Sequence, residues 1–522
     1  MNRDEMLTRL DDTELWDIII IGGGATGLGT AVDAALRGYK TVLLEQCDFA
    51  KGTSSRSTKL VHGGVRYLKQ GNIALVLEAL RERGLLIQNA PHLVHSQSFI
   101  VPVYDWWEGP FYGVGLKVYD MLAGKLGLGQ SKLLSREETL AKIPTLEADG
   151  LHGGVIYSDG QFDDARLAVN LAQTSAALGG TLINYMKVEN LIKTAGMVSG
   201  VAATDRETGQ RYELHGRAVI NATGVFADTI MRMDDSSTEN MIAPSQGVHL
   251  VLDRRFMPGD SAVMVPHTDD GRVLFAVPWH NKVVVGTTDT PVQTPSLEPC
   301  AFDEEVDFIL EHAAKYLDED PARSDVLSVF AGLRPLIKAN DSNNTAALSR
   351  DHSVLISASG LVTITGGKWT TYRKMAQDVV DQAAMIAGLQ KQECKTEQKR
   401  IHGWLKNTDP QNTLSMYGSE SFAIKKMVET DQSLGKSLHP NLPYTRAEIV
   451  WAAREEMART VEDVLARRTR ALFLDARASI DMAPEAARIL AKELRKNRHW
   501  QKEQIADFEN VAGKYILSEK GS

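Results

Sequence analysis

Residues 16–45, WDIIIIGGGATGLGTAVDAALRGYKTVLLE, limit what this chain can fold into more than any other stretch, because they spell out a nucleotide-binding βαβ unit from end to end. Residues 17–21 read as an apolar strand, and Gly22, Gly24 and Gly27 form G-x-G-x-x-G. Residues 27–37 read as a helix rich in Ala and Leu, and residues 41–44 as a second strand that ends at Glu45. Gly22 permits the tight turn, Gly24 lets backbone approach a pyrophosphate, and Gly27 lets helix and strand pack closely. The helix N-terminus adds unpaired N–H groups and a positive dipole for the phosphates. Glu45 accepts from ribose hydroxyls and would repel a 2′-phosphate, so the expected ligand is FAD or NAD rather than NADP. A bare glycine fingerprint is commonly just a Gly-rich turn; the ordered strand, helix, strand and acidic terminus raise this one above that reading.

At 522 residues the chain is long enough for two or three domains. Its apolar content of 43% and charged content of 24% are those of a globular protein. The longest apolar run, near Ile18, is broken by glycines and Asp33, so no membrane-spanning segment is expected. The opening MNRDEMLTRLDDTE lacks the basic start and apolar core of a secretory signal, which points to the cytoplasm. Cys47, Cys300 and Cys394 are too scattered for a disulfide framework or a metal site, and no metal is expected. Charge is unevenly spread: from position 391 onward 23 Lys plus Arg face 19 Asp plus Glu, a net of +4, leaving 35 against 48, a net of −13, before it. Such a basic part suits an anionic partner such as lipid headgroups, but its interspersed charges read better as a solvated helical surface. No basic stripe with interleaved aromatics is present, so nucleic acid is not an expected partner.

Residues 1–390 alternate β-rich runs with Gly-rich turns, whereas 391–522 read as helical, with polar residues 390–413 as the linker. Thr445 with Glu448 and Thr460 with Asp463 are capping patterns, and Pro484 suits a helix's first turn. A second dinucleotide fingerprint is not visible. With FAD bound, electrons would therefore come directly from a small substrate; with NAD, the rest of the chain would be a substrate domain. The segments that follow favour FAD. Thr53, Ser54, Ser55, Ser57, Lys59, Leu60 and His62 form a hydroxyl-rich turn suited to the many oxygens of the pyrophosphate and ribityl chain. Val188 is grouped with these cofactor-binding residues, and Ala222, Thr223 and Gly224 end a strand in a tight turn against the nucleotide. Gly366, Gly367, Lys368 and Thr370 open a helix whose N-terminus, with Lys368, would stabilise negative charge on a reduced flavin.

The motifs IIGGGATG at 20–27, TSSRSTKLVHGGVRYL at 53–68, NATG at 221–224, GVHLVL at 247–252, VGTTDT at 285–290, AGLRPL at 331–336, SRDH at 349–352 and TGGKWTTYRKMA at 365–376 span nearly the whole chain. In them the chain resembles the FAD-dependent glycerol-3-phosphate dehydrogenases, within the D-amino-acid-oxidase-like flavoproteins. The resemblance implies an α/β fold: a Rossmann-like FAD-binding domain (about 1–80, 150–240 and 340–390), an interleaved β-rich substrate domain (about 81–150 and 241–340), and an all-α C-terminal domain over 391–522. It implies oxidation of sn-glycerol 3-phosphate to dihydroxyacetone phosphate by hydride transfer to flavin N5, with a membrane quinone as acceptor. Arg66, Tyr67, Arg350 and Lys368 fall in the matching segments and supply the cations and hydroxyl a phosphate monoester needs. His249 is the first candidate for accepting the alcohol proton, since an imidazole titrates at about 6.5. Arg334 would hold the developing alkoxide or the phosphate. Many relatives carry Lys where Gln246 stands, so one positive charge near the site is expected to be missing. Residues 103–123, with Trp106, Trp107, Phe111, Tyr112 and Tyr119, have the composition of a membrane-interface helix, compatible with peripheral attachment at the inner face of the cytoplasmic membrane, but Lys117 is its one cation and a helix packed on the protein's own core is the alternative. A homodimer is also compatible. The alternatives are an oxygen-using glycerol-3-phosphate oxidase, an amino-acid or amine oxidase of the same fold, and a nonenzymatic flavin-binding protein.

Overall fold

The computed structural model describes residues 1–64, 72–105, 108–265, 268, 272–338, 351–409 and 412–518, with residue 125 described in its backbone only. A continuous apolar run in the first strand, buried on both faces, sets the cofactor-binding layer. Trp16–Ile21 pairs in parallel with Thr41–Leu44 on one side and Arg211–Asn221 on the other, at the centre of an eight-stranded sheet. Because successive side chains point to opposite faces, Ile18 and Ile20 pack with helices Ala25–Leu36, Asp164–Ala177 and Tyr372–Ile386. Ile19 and Ile21 face the hairpin of Met186–Thr194 and Met197–Asp205.

A second, ten-stranded sheet stands beside the first. Its long strand Ile242–Asp253 pairs antiparallel with Ser328–Ile337 and Lys282–Gly286, which sets His249 opposite Phe330. Gly153–Phe162 lies inside the part expected to bind cofactor, yet it pairs with Val94–Val103 in this second sheet; Leu60–Val61 joins the same edge. One face of the sheet, with Val248, Leu250 and Val285, packs on helix Asp303–Ala314. The other face, with Val251, Trp279 and Phe330, packs on the C-terminal helices.

Those helices are Ser421–Thr430, Arg446–Glu455, Ala471–Leu474, Ala476–Glu493 and Arg498–Ala512, with a short hairpin of Ser437–His439 and Leu442–Thr445 among them. The Thr445 amide donates to Glu448 at 2.7 Å, the expected cap. Thr460 and Asp463 also bond reciprocally, but the segment they open, Asp463–Arg468, is a π-helix. Pro484 is not in a first turn. Asp475 caps the helix earlier by accepting from the Ala478 amide at 3.0 Å, and Pro484 lies mid-helix, where its missing N–H leaves the Ile480 carbonyl without that partner. Apolar burial of Met482, Ala483, Ala486, Ala487 and Leu490 offsets the loss.

Charge joins the helical part to the rest. Asp48 accepts from Arg467 Nε at 2.6 Å and from both terminal nitrogens of Arg468, at 2.7 and 2.9 Å. Arg166 forms a two-pronged pair with Glu456, at 2.8 and 2.7 Å. Arg470 reaches Asp164 at 3.0 Å and the Ser55 carbonyl at 2.9 Å. All of these side chains are buried. Removing one partner of a buried pair strands the other charge, at a cost of about 3–5 kcal/mol. Asp48→Asn is therefore expected to destabilise the chain by about that much in chemical denaturation; an unchanged midpoint would show that the pair holds nothing.

Candidate active site

An elongated cleft of about 350 Å³ runs along the carboxyl ends of the first sheet's central strands. Glu45 and Val188 line it at one end, Gly22, Gly24, Thr53, Ser54, Ala222, Thr223 and Gly224 along its length, and Gly366, Gly367 and Lys368 at the other. Gly22 and Gly27 have the geometry that their spacing predicts. Gly22 has φ +109°, and a Cβ on Gly27 would stand 1.9 Å from the Gly22 carbonyl oxygen, so no side chain fits there. The amide of Ala25, in the first turn of the helix, donates to Ser54 Oγ at 2.9 Å. Glu45 accepts from the Gly23 amide at 2.6 Å and the Cys47 amide at 2.8 Å, and burial pushes its carboxyl above the usual range. Backbone amides, a helix N-terminus, a hydroxyl and a buried acid along one slot form a cradle for a dinucleotide.

Three hydrogen bonds draw distant segments together at the far end. Trp369 Nε1 donates to the Ser54 carbonyl at 2.9 Å, the His62 amide to Thr370 Oγ1 at 3.2 Å, and Thr53 Oγ1 to the Leu333 carbonyl at 2.6 Å. There the cleft meets a cavity of about 210 Å³ lined by Ser57, Thr58, Leu60, His62, His249, Arg334, Lys368 and Thr370. A third, of about 170 Å³, shares Thr58, Leu60, His62 and Arg334 with it and extends to Arg272, Asp159 and Asp289. Arg334 lies across Gly247, where a Cβ would meet its guanidinium at 2.5 Å. Its nitrogens donate to Thr287 Oγ1 at 3.2 Å, the Thr288 carbonyl at 3.1 Å and Asp289 at 3.4 Å. His249 is stacked on Phe330 with ring centres 4.8 Å apart, and its Nε2 meets Thr58 Oγ1 at 2.9 Å. Burial, with Lys59 and Arg334 nearby, holds the ring well below the ordinary imidazole range, so it is neutral at neutral pH.

Comparison with known proteins fits this geometry. Residues 17–373 match the family described as FAD dependent oxidoreductase, and residues 359–505 match the C-terminal domain of alpha-glycerophosphate oxidase. The mitochondrial glycerol-3-phosphate dehydrogenase of Macaca fascicularis is 39% identical over 100% of this chain and 76% of its own length. The probable mitochondrial enzyme of Caenorhabditis elegans is 39% identical over 94% of this chain and 72% of its own. The chain belongs to the FAD-dependent glycerol-3-phosphate dehydrogenases. The structure of the Bacillus halodurans member, solved with FAD, superposes with a TM-score of 0.81 at 30% identity, covering 100% of this chain and 99% of that one. FAD is the cofactor of this family, and the glycine turn, the Glu45 acid and the Lys368 end of the cleft would hold it. Glycine oxidase from Geobacillus kaustophilus, at 19% identity and a TM-score of 0.54, shares the fold alone.

Within this family member, Ser55 and Lys59 stand apart from the other residues expected to bind cofactor. Ser55 is buried under the turn, and Lys59 turns inward to pair with Asp164 at 2.7 Å among Trp279, Phe330 and Phe473. A left-handed backbone at Lys59, φ +66°, sends its side chain into the core while Thr58 and Leu60 face the cavity. Gln246 does not thin the positive charge of the site. Strand alternation points it away from His249, and it donates to Glu305 at 2.8 Å and the Cys300 carbonyl at 2.9 Å. Arg66, Tyr67 and Arg350 lie outside the described residues, as do Trp106 and Trp107. Thr58, Thr287, Thr288 and Asp289 went unassigned in the sequence, although the TSSRSTK and VGTTDT motifs contain them. Gly27→Ala is expected to yield folded protein with little or no flavin, read from the ratio of flavin to protein absorbance; full occupancy would refute the close contact with Gly22.

Proposed function

We propose that this chain oxidises sn-glycerol 3-phosphate to dihydroxyacetone phosphate and passes the electrons to a membrane quinone from the cytoplasmic side. The observation that carries the reading is the meeting of Lys368, Arg334 and buried, neutral His249 in one small cavity at the end of the cofactor cleft. When bound, the flavin supplies the two-electron acceptor for the substrate's carbon-bound hydrogen. The chain's own residues do the rest. Lys368 and Arg334 attract the phosphate dianion, and Arg334's fork, braced by Thr287, Thr288 and Asp289, orients it. His249 takes the hydroxyl proton. Arg66, Tyr67 and Arg350 complete the phosphate contacts in this proposal.

The quinone step is supported by an apolar surface beside the site. Helix Glu108–Ala123 leaves Phe111, Val114 and Met121 exposed, flanked by exposed Leu133 and, on the neighbouring helix Ile73–Asn89, Ile73 and Leu77. The same helix buries Tyr119, whose hydroxyl accepts from the Gly63 amide at 2.8 Å and donates to Asp159 at 2.7 Å, next to His62. Among the described residues no helix is long and apolar enough to cross a membrane, so the proposed docking is on its surface.

Adding sn-glycerol 3-phosphate anaerobically to the purified flavoprotein should bleach the flavin, and a soluble quinone should restore the colour faster than oxygen. No bleaching would remove the substrate assignment; faster return in air would convert the enzyme to an oxidase. Arg334→Ala is expected to lower kcat/KM at least about tenfold, the worth of one charge-assisted hydrogen bond, with flavin content retained. Because a lowered histidine pKa keeps the base neutral over a wider range, flavin reduction at saturating substrate should stay flat as pH falls past about 6.5 and drop only in more acid solution. A break near neutrality that His249→Asn removes would contradict the buried, neutral ring.

A further inference from the structure

The proton's route to His249 is narrow. His249 is 2% exposed, its Nδ1 is buried without a hydrogen-bond partner, and its Nε2 is met by Thr58 Oγ1 at 2.9 Å. Thr58 is half-buried and lines both the 210 Å³ and the 170 Å³ cavities, whereas His249 lines the first alone. Thr58 thus borders both cavities and holds Nε2, the one ring nitrogen of His249 that has a partner, so a substrate alcohol placed where the cavities meet would lie against its hydroxyl. We propose that Thr58 is a catalytic residue that relays the alcohol proton to His249; this rests on His249 being the proton acceptor.

The turn around Thr58 is built to hold one hydroxyl in place. Asp164 accepts from the Ser57 amide at 3.0 Å, from Ser57 Oγ at 2.7 Å and from Lys59 Nζ at 2.7 Å, so one carboxylate grips the residues on both sides of Thr58. A threonine hydroxyl donates one hydrogen bond and accepts others, and it rotates to suit, which is what a relay requires. The substrate O–H bond breaks as its proton passes to Thr58 Oγ, while Thr58's own proton passes to His249 Nε2. The carbon's hydrogen leaves with its electron pair to the flavin, the C–O bond becomes C=O, and the Thr58 hydroxyl is regenerated. His249 finishes as imidazolium in a buried site beside the Arg334 guanidinium, and burial and that charge drive the proton out again before the next turnover.

The test uses FAD-loaded enzyme and anaerobic rapid mixing with sn-glycerol 3-phosphate, with flavin bleaching as the readout. Thr58→Val keeps the shape and removes the relay, so it should slow bleaching at saturating substrate by about 10² with substrate affinity and flavin content little changed. Thr58→Ser should restore most of the rate. The solvent deuterium effect should fit two protons in flight for the parent enzyme. If His249→Asn is slow and Thr58→Val is normal, the relay is overturned and His249 remains the acceptor. If His249→Asn is itself normal, the acceptor assignment falls and takes the relay with it. A slow Thr58→Val that Thr58→Ser fails to rescue marks a packing role and overturns the relay. Nitrogen-15 shifts of His249 in the resting holoenzyme give an independent check: the relay needs Nε2 bare and Nδ1 protonated, and the opposite tautomer overturns it.

Discussion

The architecture depends on acids in the catalytic layers being matched by arginines from the helical part. Asp48, three residues beyond the Glu45 acid, is held by Arg467 and Arg468, and Asp164, under the hydroxyl-rich turn, is held by Arg470 and Lys59. Glu298 extends the contact, binding Lys51 and Arg56 at 2.6 Å each and accepting from the Tyr515 hydroxyl at 2.7 Å. Such pairs pay a desolvation cost that offsets much of their attraction, so their main effect is geometric: displacement of either partner leaves a charge in a dry interior. Both segments that carry this constraint, around positions 48 and 57, also line the cofactor cleft or the cavity beyond it.

Position in the fold explains why the reacting groups converge. The cofactor cleft follows strand ends of the first sheet, and the substrate cavity opens where the second sheet's long strands pass the same point. Register does the rest: Gly247 opposite Gly332 leaves room for Arg334, and His249 opposite Phe330 gains a flat apolar wall that helps keep it neutral. Lys59 lies behind that wall, over the Phe330 ring at 5.1 Å, and burial lowers its ammonium to about 7 despite Asp164.

The cofactor end was legible because its physics is local. A glycine that tolerates no Cβ, a helix that starts at once, and an acid at the next strand's end fall within thirty residues, and the sequence displays all of them. Lys59 was misplaced because composition shows a cation in a polar turn but not the left-handed backbone that turns it inward. Gln246 was misjudged for a related reason: three positions from His249 on a strand means the opposite face, and a residue-type comparison ignores that alternation. Thr58 was invisible because its meaning comes from a partner 191 positions away. The charge asymmetry was seen but read as surface; Arg467, Arg468 and Arg470 show that part of the C-terminal excess is spent inside the molecule. Pro484 obeyed no local rule, since packing on the neighbouring helices outweighed the bond it forfeits.

Arg470 has a consequence for the order in which the protein comes into being. It lies 306 positions after Asp164, and Arg468 lies 420 after Asp48. As the chain leaves the ribosome, its N-terminal layers emerge first, with both acids still lacking these partners. The turn that carries Ser57, Thr58 and Lys59 gains its last support only when the helical part has been made and has docked. A nascent chain stalled before that point would carry the glycine fingerprint in full and still lack a finished floor beneath the reacting end of its cofactor.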